Sequence, residues 1–334
     1  MASRIQTRCL VLSDTHGEAL HHRKVQESID VVFHCGDLTE ESKLDEFETT
    51  IRLLQGIDAP LKLVIPGNHD WSLDDAMFEK KIAEMKPSQE DLKLVEKVYG
   101  RVGEAKQLFA NARETGVHLL SEGIHRFELT NGAVLTVYAS PFTQSVNDWG
   151  FQYHPDDDHV WAIDDTVDVA ITHSPPKGVL DYISSRERAG SASLFAAIAL
   201  ARPQMHCFGH IHDSWGAKMV AWRDEPGDTI SHFTAIDNEQ STTIESLSTL
   251  RPTKSDNARD IEEKGSRRDS HDEKGYCAAN RTATRGKETL FINAAIEGAE
   301  DFQQHWPWLA NLSLPAALDR TFSKETRSHE APEH

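Results

Sequence analysis

Seven side chains that can bind metal ions come directly after five short apolar stretches of this sequence. They are Asp14 and His16, Asp37, Asn68, His173, and His210 with His212. The first two lie two residues apart, as do the last two, so each pair points to one side of an extended chain. Carboxylate, imidazole and amide groups suit manganese, iron or zinc, and a set without a thiolate argues against a structural zinc site. The pattern predicts a metal centre built from distant parts of the chain.

The elements that must position these side chains alternate between strand and helix. Residues 9–14, 30–37 and 61–70 each combine a short apolar run with polar residues at its end. The segment 42–56 carries apolar residues at helical spacing. Short buried strands separated by helices are typical of a parallel sheet, which indicates an α/β fold. Because ligands bind at the carboxyl ends of such strands, we expect the seven side chains to converge there.

The composition of the chain excludes several classes of protein. It has 334 residues, a net charge of -19 and 38% apolar residues. So acidic a surface repels nucleic acids and anionic membranes, and neither is an expected partner. No apolar stretch approaches the roughly 20 residues that span a bilayer, and the N-terminus lacks the apolar core of a signal peptide. The four cysteines are far apart, which favours free thiols in a reducing compartment, so we predict a cytoplasmic protein.

Residues 246–288 differ in character from the rest of the chain. They are polar, charged and almost free of large apolar side chains. Such a segment cannot bury enough surface to offset its ordering entropy, so we predict a disordered insertion. Residues 1–322 would then form a single domain that carries this insertion, and residues 323–334 a flexible tail. A protein partner could bind the insertion, although a loop without function is the simpler interpretation.

Taken singly, each motif has a purely structural explanation. Gly36-Asp37 is typical of a turn, and a lone histidine such as His173 more often belongs to a core than to a metal site. The joint occurrence of the five sets, each at the end of a strand, favours the metal centre. Three histidines lack that setting, and we assign them to the surface or to loops. They are His21, His22 and His271.

The five sets resemble the signature of the calcineurin-like metallophosphoesterases. The matching blocks are Asp14-x-His16, Gly36-Asp37, Gly67-Asn68-His69-Asp70, His173, and Gly209-His210-x-His212. The stretches ITHSPPKGVLD, CFGHIHDSWG and FINAA are similar, more narrowly, to the metallophosphoesterase-domain-containing proteins. The resemblance covers residues 9–215. It implies a four-layer αββα sandwich with a dimetal site at the carboxyl ends of its strands.

The resemblance also implies two divalent metal ions, Mn²⁺, Fe or Zn²⁺, with Mn²⁺ favoured for activity. A hydroxide that bridges the two ions would attack phosphorus. Asp37 would bridge both ions. The other ligands of the first ion would be Asp14, His16 and His212, and those of the second Asn68, His173 and His210.

His69 and Asp70, next to the ligand Asn68, are the predicted catalytic residues. His69 would donate a proton to the leaving oxygen. Asp70 would orient that imidazole and raise its pKa, or it would cap a helix that begins near Leu73. The two roles of Asp70 are compatible.

The residues that follow Gly36-Asp37 bear on the substrate. The protein phosphatases of this superfamily carry an arginine there, whereas this chain has Thr39, Glu40 and Glu41. A diester carries a single charge and tolerates a site without an arginine, so we predict a phosphodiesterase acting on a small phosphate ester such as a nucleotide. The alternatives are a phosphomonoesterase acting on a metabolite and a metal-binding scaffold with weak catalysis. Four aromatic residues near the motifs would stack on a base or pack in the core: Trp71, Trp149, Phe151 and Trp215.

Overall fold

The computed structural model describes residues 3–225, 229–298 and 302–317. Its strands are β1 (Arg4–Leu12), β2 (Val31–Cys35), β3 (Leu61–Ile65), β4 (Val117–Leu119), β5 (Gly123–Glu128), β6 (Val134–Ser140), β7 (Thr143–Gln144), β8 (Gln152–Tyr153), β9 (Val169–Thr172), β10 (Met205–Phe208), β11 (Gly216–Trp222), β12 (Ile236–Ser246), β13 (Cys277–Ala279), β14 (Glu288–Asn293) and β15 (Trp308–Pro315). Its helices are α1 (Leu44–Gln55), α2 (Asp75–Met85), α3 (Gln89–Tyr99), α4 (Glu104–Ala112), α5 (Ala192–Ala201), α6 (His232–Ala235), α7 (Leu247–Leu250) and α8 (Ala258–Lys274). Within the described ranges, no helix combines the length and the apolar character that crossing a membrane requires.

Two large sheets, each with a run of parallel strands, form the centre of the fold. The first has the order β13-β15-β1-β2-β3-β4, and β1 to β4 run parallel. The second has the order β12-β11-β14-β10-β9-β6-β5, and β14, β10, β9 and β6 run parallel. Parallel neighbours end at the same edge of a sheet, so the loops after β1, β2 and β3 leave one edge together. The loops after β9, β10 and β14 do the same in the second sheet.

Apolar side chains fill the spaces between four layers. Between the two sheets, Val11 and Phe33 of the first sheet belong to one buried cluster with Ile171 of the second. On the outer face of the first sheet, α1 and α4 contribute buried residues such as Phe47. On the outer face of the second, α5 contributes Phe195. The predicted αββα sandwich is therefore confirmed.

Helix α1 shows how the sequence determines such a layer. Phe47, Ile51 and Leu54 recur every three or four residues and are buried against the first sheet. At the start of the helix, the backbone N–H of Lys43 donates to the carboxylate of Glu46 at 3.1 Å. The buried apolar residues determine which face of the helix packs on the sheet, and the hydrogen bond of Lys43 with Glu46 stabilises its first turn.

The prediction that residues 246–288 are disordered is wrong for most of that segment. It contains α7, the 17-residue helix α8 and strand β13, which pairs with β15. As the composition predicts, no residue of α8 is buried, and polar contacts hold the helix instead. Lys264 donates to the carbonyl oxygen of Arg251 at 3.0 Å, and Arg267 donates to the carboxylate of Glu245 at 3.0 Å. Composition misses this order because such contacts leave no apolar periodicity in the sequence.

Two parts of the predicted domain organisation remain predictions. The tail assigned to residues 323–334 lies outside the described residues. The assignment of residues 1–322 to a single domain includes residues beyond 317 that are not described either.

His206 in β10 makes the fold sensitive to acid. Its ring is fully buried beside Phe208, and its Nε2 lies 2.9 Å from the hydroxyl of Thr172. Burial lowers the pKa of His206 from 6.5 to about 3. Below pH 6.5 the unfolded chain therefore binds a proton at this histidine that the folded chain does not. Protonation favours the unfolded state, so the free energy of unfolding is unaffected by this group above pH 6.5 and falls as the pH decreases towards 3.

We expect His206→Gln to reduce this loss. Between about pH 7.5 and about pH 5, the free energy of unfolding of the wild type should fall by about 2 kcal/mol more than that of the variant. Urea unfolding in the presence of a chelator measures the difference without a contribution from metal release. The same pH dependence in both proteins would show that His206 is not the sensitive group.

Candidate metal centre

The seven predicted metal ligands converge in the structure, in the loops that follow β1, β2, β3, β9 and β10. Six of them form two groups, and within each group the ligand atoms lie within 4.8 Å of one another. The first group is Asp14, His16 and His212, and the second is Asp37, His173 and His210. The seventh, Asn68, joins the second group, because its Oδ1 lies 3.0 Å from Nε2 of His173.

The first group is built around Asp14. The carboxylate of Asp14 is fully buried, and its Oδ1 lies 3.2 Å from Nε2 of His212. The rings of His16 and His212 meet edge to face, with their centroids 5.4 Å apart. Both ring nitrogens of His16 lie within 3.0 Å of carboxylate oxygens, those of Glu40 and Glu297, but neither contact has the alignment of a hydrogen bond. These buried imidazole nitrogens are therefore available as electron-pair donors to a metal ion.

The second group is built around Asp37. Its Oδ2 lies 3.1 Å from Nε2 of His173, and its Oδ1 accepts the backbone N–H of His69 at 2.8 Å. His173 is fully buried, and its Nδ1 donates to the carbonyl oxygen of Cys35 at 2.9 Å. Because that hydrogen bond fixes a proton on Nδ1, Nε2, which lies between Asp37 and Asn68, is the nitrogen that would lose its proton to bind a metal ion.

The backbone at four of the ligands is strained. Asp14, His16, Asp37 and His210 all have φ between 47° and 69°, the left-handed region that residues other than glycine rarely adopt. Such conformations persist where the surrounding structure enforces them, and they cluster at functional sites. Gly209 is required for a different reason, since a Cβ there would lie 2.0 Å from Oδ2 of Asp14.

The charges of the two groups shift the pKa values of their members. Burial lowers the pKa of His16, but the neighbouring carboxylates, Glu297 first, outweigh burial and raise it to about 10. Burial also lowers the pKa of His173, which the charge of Asp37 raises to about 9. Burial raises the pKa of Asp37, yet His173 and His16 hold it well below its ordinary value. The site therefore concentrates negative potential that a cation would neutralise.

His69 lies beside the two groups with its side chain 22% exposed. Its Nδ1 donates to the carbonyl oxygen of Glu40 at 2.7 Å, which leaves Nε2 as the nitrogen that can exchange a proton with a ligand. The ring packs on Trp149 with centroids 4.4 Å apart and meets the edge of the His16 ring at 4.8 Å. These contacts hold the imidazole in one orientation.

Asp70 takes neither of the two roles predicted for it. Its carboxylate accepts the backbone N–H groups of Leu38, Thr39 and Gly67 at 3.0, 3.0 and 2.7 Å. Among the described residues it makes no hydrogen bond to the imidazole of His69, and although Asp70 precedes the helical turn Trp71–Leu73, its side chain makes no capping hydrogen bond there. Asp70 instead joins the loop after β3 to the loop after β2. Sequence spacing cannot show a contact between two loops of this kind.

The four aromatic residues near the motifs have different surroundings. Trp149 lies at the site, where it packs on a ring that the sequence assigns to catalysis. Trp215 is fully buried and stacks on Trp308 with centroids 4.8 Å apart, so it belongs to the core. Trp71 and Phe151 pack against other aromatic rings. Among the ring contacts of the described residues, that of Trp149 is the one that joins one of these four rings to a residue of the predicted site.

Sequence reasoning did not assign two carboxylates to the site. Oε2 of Glu40 lies 2.8 Å from Nδ1 of His16. Oε2 of Glu297 lies 3.0 Å from Nε2 of His16 and 3.2 Å from Nδ1 of His212. Glu297 comes four residues after the end of β14, and the predicted ligands likewise follow the ends of strands. Its place after a strand is therefore the feature of the sequence that could have identified it.

The donor atoms fit divalent metal ions. Each group offers carboxylate and imidazole donors close enough to share one ion, and Asn68 adds an amide oxygen to the second. Mixed oxygen and nitrogen donors of this kind suit Mn, Fe and Zn. The two groups are also adjacent, since the backbone N–H of His210 in the second donates to the carboxylate of Asp14 in the first at 3.0 Å.

Residues 7–214 match the family model of the calcineurin-like phosphoesterases. The chain belongs to the calcineurin-like phosphoesterase family. This membership confirms, for the matched region, the class of enzyme that the five motifs predict, a dinuclear metal-dependent phosphoesterase. It also accounts for two adjacent groups of ligands, because the family uses divalent metal ions.

Individual relatives support the narrower resemblance. The UPF0046 protein T07D4.2 of Caenorhabditis elegans is 31% identical over 219 residues, which cover 63% of this chain and 52% of that protein. The human metallophosphoesterase domain-containing protein 1 is 27% identical over 220 residues, which cover 63% of this chain and 62% of that protein. The match thus spans about half the length of the first relative. A solved structure, the phosphopantetheinyl hydrolase of Mycobacterium tuberculosis, aligns with a TM-score of 0.39 and 14% identity over 66% of this chain and 86% of that one.

Proposed function

We propose that this protein is a phosphodiesterase that acts on a small phosphate ester such as a nucleotide. The acidic character of the site carries the proposal. Glu40 and Glu297 contact the ring nitrogens of His16 at 2.8 and 3.0 Å, in addition to the carboxylates of the two groups. Among the described residues, the ion pairs of the site join histidines to carboxylates, and none brings in a lysine or an arginine.

Charge distinguishes the two classes of substrate. A phosphate monoester carries up to two negative charges near neutral pH and a diester carries one, so nearby carboxylates repel the monoester more strongly. No guanidinium from the described part of the site offsets that repulsion, which favours the diester. A nucleotide diester would find the half-buried Trp149 beside His69, and an aromatic face of this kind can contact a base.

The side chains around the groups would supply the remaining steps of the reaction. Two divalent ions held there would provide an activated water and neutralise charge on the phosphate oxygens. His69 would donate a proton from Nε2 to the leaving oxygen, since its Nδ1 is held by the carbonyl oxygen of Glu40. Trp149 and His16 keep the imidazole in place for that transfer. Asp70 would act indirectly, by holding together the two loops that carry these residues.

Turnover of two nitrophenyl esters tests the proposal. With Mn²⁺ in excess, we expect kcat/KM for bis-p-nitrophenyl phosphate to exceed kcat/KM for p-nitrophenyl phosphate by at least about tenfold. One additional charge in a partly desolvated site accounts for about 1.4 kcal/mol or more. Preferential turnover of the monoester would support the phosphomonoesterase alternative. Loading with metal but no turnover of either ester would support the scaffold.

A matched variant separates the effect of site charge from the intrinsic reactivity of the two esters. Glu40→Gln removes one carboxylate charge next to His16 and keeps the backbone carbonyl that holds His69. We expect the variant to hydrolyse the monoester faster relative to the diester than the wild type does. An unchanged ratio would contradict the charge argument.

A further inference from the structure

A single carboxylate oxygen, Oε2 of Glu297, contacts two histidines of the first group. It lies 3.0 Å from Nε2 of His16 and 3.2 Å from Nδ1 of His212. The two histidines follow β1 and β10, and Glu297 follows β14. One side chain therefore links three loops that belong to two different sheets.

The backbone around Glu297 is anchored on both sides of the side chain. The N–H of Glu297 donates to the carbonyl oxygen of Asp14 at 3.1 Å, and the N–H of Ile296 donates to that of Ser13 at 2.8 Å. Glu297 also forms a β-bridge with Gln304. Main-chain hydrogen bonds to the segment that carries Asp14 thus determine where the carboxylate stands.

The two ring nitrogens of His212 face different carboxylates. Nε2 lies 3.2 Å from Oδ1 of Asp14, and Nδ1 lies 3.2 Å from Oε2 of Glu297. Of the two contacts, that of Nε2 with Asp14 has the alignment of a hydrogen bond, whereas Glu297 lies within reach of Nδ1 without that alignment. A neutral imidazole has one N–H, so an ion bound by the Nε2 lone pair requires the proton on Nδ1, beside Glu297. Histidines that bind metals generally donate their other N–H to such a partner, which determines the tautomer and the orientation of the ring.

We propose that Glu297 is a positioning residue of the metal centre. When Nε2 of His212 binds an ion, the carboxylate of Glu297 accepts the proton-bearing Nδ1, and its charge lies beside His16 as well. In this way it raises the affinity of the first group for a divalent ion. Glu297 takes no part in breaking the phosphate ester. The inference concerns metal binding and is independent of the substrate class proposed above.

Titration of the metal-free full-length protein with Mn²⁺ tests this role. We expect Glu297→Ala to bind one of the two ions about 10–100-fold more weakly, the range typical of partners behind metal ligands, and to bind the other ion as the wild type does. Glu297→Gln should fall between, because its amide oxygen still accepts a hydrogen bond but carries no charge. Glu262→Gln, on the exposed surface of α8, is the matched control and should bind both ions normally. Binding of both ions by Glu297→Ala within about twofold of the wild type would overturn the proposal.

A spectroscopic measurement separates positioning from a general loss of structure. In the Zn²⁺-loaded wild type, long-range ¹H–¹⁵N spectra should show a ring N–H of His212 at Nδ1 that exchanges slowly with solvent. Glu297→Ala should lose that slow exchange while the metal-free variant keeps the Tm of the metal-free wild type. If the alanine variant does not fold, Glu297→Gln carries the same test. A slowly exchanging Nδ1–H that persists in the folded variant would overturn the proposal.

Discussion

Replacement of His69 by asparagine should lower the turnover of the metal-loaded protein about 10²–10⁴-fold, the contribution typical of general acid catalysis. The imidazole lies outside the two groups that hold the predicted ligands. The third group of possible ligands, His16, Glu40 and His69, shares His16 with the first group, so we expect the number of bound metal ions to stay the same. Its Nδ1 is occupied by the carbonyl oxygen of Glu40, so the proton for the leaving oxygen must come from Nε2. Steady-state kinetics combined with elemental analysis of the same samples would measure both quantities.

The dependence of this loss on the leaving group identifies the role of His69. A general acid contributes most when the leaving oxygen is strongly basic, so His69→Asn should lose more activity on an alkyl phosphodiester than on bis-p-nitrophenyl phosphate. A residue that only binds the substrate would lose the same factor on both. The exposed His21, which the sequence assigns to the surface, provides the control: His21→Asn should match the wild type on both substrates. Equal losses on the two substrates in His69→Asn would exclude general acid catalysis by this side chain.

The ligands can be predicted from the sequence because each of them is a polar residue that follows the end of an apolar strand. Val31 to Cys35 form a fully buried strand, and the next polar side chain that can bind a metal is Asp37. The same pattern marks His173 after β9 and His210 after β10. A parallel sheet brings such positions to one edge, so strand ends that lie far apart in the sequence become neighbours without any further information.

What the sequence does not predict depends on contacts between loops. The sequence predicts that Asp70 orients the imidazole next to it, but its carboxylate accepts the backbone N–H groups of Leu38 and Thr39 in another loop. Its residue type does not distinguish Glu297 from the other acidic residues of the chain. Its place in the site follows from the hydrogen bond between its backbone N–H and the carbonyl oxygen of Asp14. Helix α8 depends in the same way on polar contacts such as that of Arg267 with its partner in β12. Neither periodicity nor composition encodes such partners.

Replacement of Asp37 by asparagine should have the largest effect on metal binding. The carboxylate contacts His173 at 3.1 Å, and its charge also contributes to the raised pKa of His16, so it acts on both groups. Loss of this charge should weaken the binding of both ions by more than roughly 100-fold, since partners behind the ligands alone account for about 10–100-fold. Asparagine retains an oxygen that can accept the backbone N–H of His69, so the loop itself should keep its position.

Elemental analysis after dialysis distinguishes this effect from a loss of fold. The wild type should retain two metal ions per chain, and Asp37→Asn should retain none, with turnover falling to background. The exposed Asp58 provides the matched control, and Asp58→Asn should retain both ions. Loss of a single ion would show that Asp37 serves the second group alone. The grouping of Asp37 with His173 and His210 is compatible with that outcome. Retention of both ions with near-normal affinity would contradict the proposal that the two ions share the carboxylate of Asp37.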